Sequence, residues 1–553
     1  MPTSSSATLP KASAQSDKFT FVSQWLLIIV IAFGAAYYLN LAVSTIDQPL
    51  LDRHDFRQTQ TAISTYYLLK DGLTLDYQTP VMGYPWTIPF EAPVYQFSVA
   101  MVASLLSLEL DAAGRLVSIL YFIGFLCIST FLLHRLFPNT LATPLIFLGL
   151  MLLAPIYLFW SRAFLIETCA IFFGSVFLLG VELYSTRQRV LWFLIGLIGS
   201  ALCVLVKATT WPAFVIVAGS IWLSKHGLQD LKLFDRHPNK QRLVDVAFKA
   251  VVFGLLIAIP LLVFALWTHH ADALKAQSEL GAGITSAALK SWNYGSLDQR
   301  LSERFLFDML IGRAIPNAIG LVWILLLLPI IFRWANQTTK IASALGAMAY
   351  FAPILVFSNL HFVHDYYQTA NSLFLIASIA ILLGHFIGTN TYSTSTRLIA
   401  LSVFGFIALS QYVHFSTRYF PIATADLHSD NVYRMAMAAK KKVRDDAAIV
   451  SFGRDYSSKV HYYSETKGIA FPKYTTLKTI TSFINHPSDY LGSLKLGGIA
   501  DCRVNGYRFR SVDAEKEVDR LIDMAVSGAV DGTRWDAAAF GDCILYTKPV
   551  GSI

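Results

Sequence analysis

The chain has 553 residues, of which 55% are hydrophobic and only 14% charged, and its mean hydropathy is +0.51. A soluble protein of this size would carry about a quarter charged residues, so an ordinary soluble domain is excluded and a polytopic membrane protein is expected. The net charge of +8 belongs with basic cytoplasmic loops that set topology, not with nucleic-acid binding.

Residues 1–20 are rich in Ser, Ala and Thr and read as a disordered cytoplasmic tail. No convincing cleavage site follows the first apolar run, so that run is expected to stay as an uncleaved helix. Stretches apolar enough to span occur near 23–43, 115–133, 140–158, 166–184, 190–206, 210–224, 250–267, 315–333, 341–358, 370–388 and 398–415. A shorter run covers 94–108. If it crossed, His134, Arg135, Arg187 and Arg189 would fall outside. If it lies on the surface or re-enters, the basic groups of every loop fall in the cytoplasm. The second solution is adopted: 11 spans, N-terminus in, C-terminus out.

This topology predicts an α-helical membrane domain over 21–420 with a first outer loop at 44–114. Outside it also places the turn Trp160–Leu165, Lys207, the loop 268–314 and His361–Gln368. From about 421 the composition changes. Ala448–Phe452, Cys543–Thr547 and Ile499–Val504 read as strands. Asp513–Val526 reads as a helix with Val518, Leu521, Ile522 and Val526 on one face. A small extracytoplasmic α/β domain over 421–553 is predicted. Cys502 and Cys543 fall within it and are candidates for a disulfide, with pairing and free thiols both open.

The chemistry-bearing residues gather on the predicted outer face. Asp52, His54, Asp55, Arg57 and Gln58 follow the first span. A carboxylate there can take a proton from a hydroxyl nucleophile; the plain alternative is solvated charge ending a helix. Glu91 precedes Ala-Pro-Val-Tyr where the chain turns into an apolar run. Arg162 and Glu167 flank a short turn, with Glu167 in the first turn of an apolar helix, where the dipole favours an anion; a structural Arg162–Glu167 pair is the alternative. Lys207 can meet a phosphate as a point charge or simply snorkel. His361, His364, Asp365, Tyr366 and Tyr367 supply donors for a phosphate or sugar. Their spacing leaves a divalent cation open as the one conceivable cofactor. Arg300, Arg304 and Arg313 occupy the 268–314 loop; one of them can reach a lipid phosphate, spacing does not decide which, and Arg313 is taken as the candidate. No Gly-Lys-Ser phosphate loop, Rossmann glycine pattern or Ser/His/Asp ordering is present.

In order along the chain, Asp55-Phe-Arg57-Gln58, Glu91-Ala-Pro93-Val-Tyr95, Ser161-Arg162 with Glu167, Lys207 and His364-Asp-Tyr-Tyr-Gln368 resemble bacterial membrane glycosyltransferases of the C-type (GT-C) fold. That superfamily includes the protein O-mannosyltransferases and the lipid A aminoarabinose transferase. The resemblance covers roughly residues 20–420. It implies a polyprenyl-phosphate sugar donor used on the outer side of the membrane, with Asp55 as general base and Glu167 as the second acid. It also implies Lys207 at the donor phosphate. A glutamate at 167 and the absence of a lysine beside Glu91 depart from the family pattern. The expected reaction is inverting transfer of one sugar to a lipid, glycan or protein acceptor. Arg57, Gln58, Glu91, Arg162 and the 361–367 cluster would orient or bind the substrates. Two rivals are carried: a flippase or transporter of lipid-linked sugars, and a ligase using an oligosaccharide diphosphate. The apolar span interiors and lack of an internal repeat weigh against a transporter.

Overall fold

A computed structural model describes residues 11–226, 240–503 and 508–549. Among them are seven helices long and apolar enough to cross a membrane, or eight if one sharply bent pair is a single span. The molecule is a multi-pass helical body capped by a small five-stranded domain.

The first ten helices are α1 (Lys11–Ser44), α2 (Asp55–Asp71), α3 (Val94–Leu106), α4 (Leu110–Leu136), α5 (Ala142–Leu153), α6 (Pro155–Trp160), α7 (Glu167–Arg187), α8 (Val190–Val206), α9 (Trp211–His226) and α10 (Lys240–Lys275). The helix expected from residue 23 already begins at Lys11, inside the segment read as a tail; residues 1–10 lie outside the described residues, as does the 227–239 loop. Of the eleven expected spans, eight coincide with the long helices and the bent pair.

The other three, α5 (12 residues), α8 (17) and α9 (16), are short against a hydrocarbon core of about 30 Å at about 1.5 Å per residue. The 140–158 run is not one helix. Ala154 is extended (ψ 124°) because the proline after it disfavours helical backbone at the preceding residue. The bent pair, Arg304–Ile319 and Val322–Trp334, turns through 88°. Its corner is Gly320, at φ +84° and so close to the Ser410 carbonyl carbon that a Cβ would sit 2.3 Å from it. Only glycine meets both demands cheaply.

In the first loop, α3 starts beside α2, where Glu91 meets Arg57. The chain then turns into α4, whose Asp111 accepts from Tyr462 and Tyr463 of the C-terminal domain. With 13 residues, α3 is about 20 Å long, shorter than a hydrocarbon core of about 30 Å.

The C-terminal domain holds β1 (Ala447–Phe452), β2 (Gly468–Phe471), β3 (Lys495–Asp501), β4 (Asp536–Phe540) and β5 (Cys543–Thr547) in the order β2-β1-β3-β5-β4. The β1–β2 and β1–β3 pairs are parallel, and β3–β5 and β4–β5 antiparallel. Sequence periodicity finds β1, β3 and β5 but not β2 and β4. The third strand ends at Asp501, short of the expected Val504, which lies outside the described residues. Helix Val512–Ser527 buries Ala514, Val518, Leu521, Ile522 and Ala525, whereas Val526, expected on that face, is 44% exposed. Cys502 and Cys543 form a disulfide.

Candidate active site

Asp52, just before α2, and Asp55, its first residue, have different surroundings. Asp52 is buried. Its carboxylate accepts from Gln58 Nε2 at 2.5 Å and lies 3.5 Å from Arg162 and 3.9 Å from Arg115. Gln58 Oε1 accepts the Phe164 amide at 3.1 Å, and Arg162 donates to Thr45 Oγ1 at 3.2 Å. Asp52 is thus the hub of a closed internal network. Asp55 instead opens α2 with its side chain 26% exposed. One oxygen accepts the Phe56 amide at 2.6 Å and the other pairs with Lys459 of the C-terminal domain. The helix N-terminus favours this anion. His54, just before it, takes left-handed backbone (φ 47°), uncommon for a residue with a side chain.

Half a turn on, Arg57 donates to Glu91 and to Gln60, each at 2.5 Å. Burial disfavours the guanidinium charge, but the Glu91 carboxylate outweighs that and holds Arg57 above its ordinary pKa. Gln96 donates to the other Glu91 oxygen at 2.8 Å. Glu167 begins α7 and pairs with Lys207 at the end of α8. The Lys207 ammonium also lies 3.8 Å from the Tyr367 ring centroid and 5.0 Å from that of Tyr366, within cation–π range.

The 361–368 turn closes over the start of α2. Asp365 lies 3.0 Å from both Arg53 and His54 and accepts from Tyr419 at 3.4 Å. The His364 and His54 rings are 5.2 Å apart. Burial, with Lys207 and Arg313 nearby, lowers the His361 pKa to about 3. Burial and the neighbouring His54 do the same for His364, again to about 3. Both rings are neutral at ordinary pH. Among the described residues no group of three His, Cys, Asp or Glu is placed to hold a metal ion.

A cavity of about 240 Å³ gathers much of this chemistry. Arg57, Glu91, Glu167, Lys207 and Tyr367 line it, with Phe264, Trp267, Thr268, Ala271, Asp272 and Lys275 from α10. The α10 residues follow one helical stripe, at spacings of three, one, three, one and three. The stripe passes from apolar to charged toward the end of the helix. Three buried polar atoms on the wall have no protein partner: Glu167 Oε2, Thr209 Oγ1 and Trp267 Nε1. Two acceptors and two donors are thus offered to a polar occupant.

The structure therefore gathers Arg57, Glu91, Glu167, Lys207 and Tyr367 around one cavity and puts Asp55 at the same helix start. Gln58 and Arg162 stand behind them in the Asp52 network. His361, His364, Asp365 and Tyr366 form the turn packed against Arg53 and His54. Arg313 stands apart from the cavity and donates to the carbonyls of His361 and Phe362 at 2.6 and 2.8 Å. The cation that the 268–314 segment brings to the cavity is Lys275.

Sequence reasoning does not single out Arg53, Arg115, Asp272, Lys275, Tyr456 or Lys459. Arg115 is legible as an ionisable residue inside an apolar helix, and Asp272 and Lys275 as polar positions on an otherwise apolar helical stripe. Tyr456 and Lys459 carry no local signal.

No protein-family model and no curated protein matches the sequence. Solved structures do match in fold. ArnT from Cupriavidus metallidurans superposes with a TM-score of 0.55 at 12% identity, over 95% of this chain and 98% of that one. The archaeal oligosaccharyltransferase AglB from Archaeoglobus fulgidus superposes at 0.52 and 11%, over 96% and 75%. The chain has the C-type fold of these membrane glycosyltransferases.

Proposed function

We propose that the chain is a membrane glycosyltransferase that moves one sugar from a polyprenyl-phosphate donor to a hydroxyl of a cell-envelope acceptor, with inversion, on the outer face of the inner membrane. The observation that carries this reading is the cavity beside α2. Three cations, Arg57, Lys207 and Lys275, face it together with the unpaired Glu167, Thr209 and Trp267 atoms. Cations suit a phosphate, and paired donors and acceptors suit sugar hydroxyls. At about 240 Å³ the cavity is below the roughly 300–1,000 Å³ of drug-sized sites. That size favours a single sugar over an oligosaccharide. Phe264 and Val204 line it too, a route for a lipid tail from the bilayer. The Cys502–Cys543 disulfide favours an oxidising compartment for the C-terminal domain.

Asp55 is the general base in this reading. Asp52 is locked between arginines, whereas Asp55 is accessible and lies half a turn from Arg57 at the cavity. The base takes the acceptor proton as the hydroxyl oxygen bonds to the anomeric carbon. The carbon–phosphate-oxygen bond breaks, and its electrons leave with the lipid phosphate. Lys207 offsets the charge developing on that phosphate, and Lys275 binds the phosphate equally before and during the transfer. Glu91 fixes Arg57, and Glu167 orients Lys207 while presenting its free oxygen to the sugar.

Asp55→Asn is expected to insert and fold normally and to lose activity by about 10²-fold or more. The readout is mass spectrometry of acceptor incubated with purified protein and either a monosaccharide monophosphate lipid or an oligosaccharide diphosphate lipid. Near-normal turnover by the variant overturns the base assignment; turnover of the diphosphate donor alone overturns the donor class.

A further inference from the structure

The C-terminal domain reaches the proposed base directly. The loop after β1, residues 453–458, and the helix Lys459–Ser464 that follows it pack on the first turn of α2. There Tyr456 meets the Phe56 ring edge-on at 4.8 Å between centroids, and Lys459 pairs with Asp55. The placement follows from sheet topology. β1 has parallel neighbours on both sides, and the chain leaves it toward β2 and returns past it to β3. In open α/β sheets such a strand presents its carboxyl end as the functional edge. Here that edge is turned onto α2.

We propose that Lys459 is a positioning residue: the C-terminal domain holds the Asp55 carboxylate in the orientation that accepts a proton, so the active site is complete only when the domain is docked. This rests on Asp55 being the base. Other basic side chains near Asp55 are committed elsewhere. Arg53 and His54 turn to Asp365, and Arg57 to Glu91. Lys459 is the one cation paired with Asp55 among the described residues. With Oδ1 taken by the Phe56 amide and Oδ2 by Lys459, the carboxylate is pinned at two points, and the second Oδ2 lone pair is left for a substrate hydroxyl. Lys459 and Asp55 side chains are 16% and 26% exposed, enough for a substrate to reach the pair.

The test compares Lys459→Gln, Lys459→Arg, Asp55→Asn and the double variant Lys459→Gln/Asp55→Asn in full-length purified protein, by single-sugar transfer. Lys459→Gln is expected to lower kcat about tenfold and to leave the donor KM within twofold. Lys459→Arg should recover most of that loss, and Lys459→Gln should cost nothing further in the Asp55→Asn background. An equal loss in both backgrounds, or no rescue by arginine, overturns the positioning role and leaves a structural one. Near-normal transfer by Asp55→Asn instead removes the base reading, so the two failures are distinguishable. Thermal unfolding midpoints of all four proteins within a few degrees exclude misfolding as the cause.

Discussion

At the scale of single residues, the site is a set of matched charges in a poorly solvated place. Arg57 answers Glu91, Lys207 answers Glu167, Lys275 stands 3.6 Å from Asp272, and Lys459 answers Asp55. Removing one member of such a pair leaves the other uncompensated, which is why each position is costly to change. Lys275 is the cation whose own partner is most distant of these, and it is the freest to meet a phosphate. Lys275→Met should therefore weaken donor binding by about 2 kcal/mol, the order of a charged hydrogen bond, read as a rise of about 30-fold in donor KM with kcat little changed. An unaltered KM would remove Lys275 from the donor site. The motif residues Asp55, Arg57, Glu91, Glu167 and Lys207 were legible because acids and bases stand out sharply against apolar neighbours. Lys459 was not, because a lysine in a soluble domain is unremarkable until the chain folds over.

At the scale of elements, one helix long enough to span and one shorter apolar helix set the Glu167–Lys207 pair. α7 begins with Glu167 and Lys207 directly follows the last residue of α8, so their antiparallel contact brings both charges to one end. The contact is backbone on backbone: a Cβ built on Gly180 lies 2.4 Å from Gly196 Cα. Small residues allow such an approach where helices meet in lipid. Gly180→Leu is expected to force α7 and α8 apart, lowering both the folded yield in detergent and transfer. Normal yield with normal activity would show that the crossing does not govern the site. Periodicity predicts that these stretches are helices. It says nothing of the residue at which they cross. The proline after Ala154 was visible in the sequence, yet the apolar run around it hid the break that separates α5 from α6.

At the scale of the whole molecule, the C-terminal domain is fastened to the first loop rather than tethered beside it. The free edge of β2 is covered by residues 80–83: Gly468 donates to Pro80 at 3.0 Å and Ala470 to Val81 at 2.8 Å. Covering an edge in this way also protects it from other strands. Trp86 of the same loop is buried in the domain's own core, and Glu279 accepts from Thr479 and Tyr490 at 2.8 and 2.6 Å. The Cys502–Cys543 bond closes a separation of 41 residues, worth about 4 kcal/mol in a chain-entropy picture. Cys502→Ala/Cys543→Ala should lower the unfolding midpoint and, by loosening the domain that carries Lys459, reduce transfer. An unchanged midpoint would show that the bond adds little.

Acidity acts at this scale as well. Burial lowers the pKa of His361 and His364 to about 3 and that of His461 to about 4, against roughly 6.5 unfolded. Between those values the unfolded chain binds protons that the folded one refuses, so stability falls as pH drops from about 6.5 toward 4. Unfolding midpoints in detergent should decline between pH 7.5 and 5, and less steeply for His461→Asn; a flat profile would show these rings to be hydrated in the folded state.

The sequence by itself determined the helical membrane body, the small α/β domain after it and the motif residues around the first loop. Hydrophobic length, periodicity and isolated charges are local properties written along the chain. Only the tertiary structure decided that Asp52 is locked while Asp55 is accessible, that Lys275 rather than Arg313 faces the cavity, and that a lysine some 400 residues downstream in the chain pairs with Asp55. Those outcomes depend on which distant segments pack together, and that is fixed by the fit of helices, loop and sheet, not by any stretch of sequence alone.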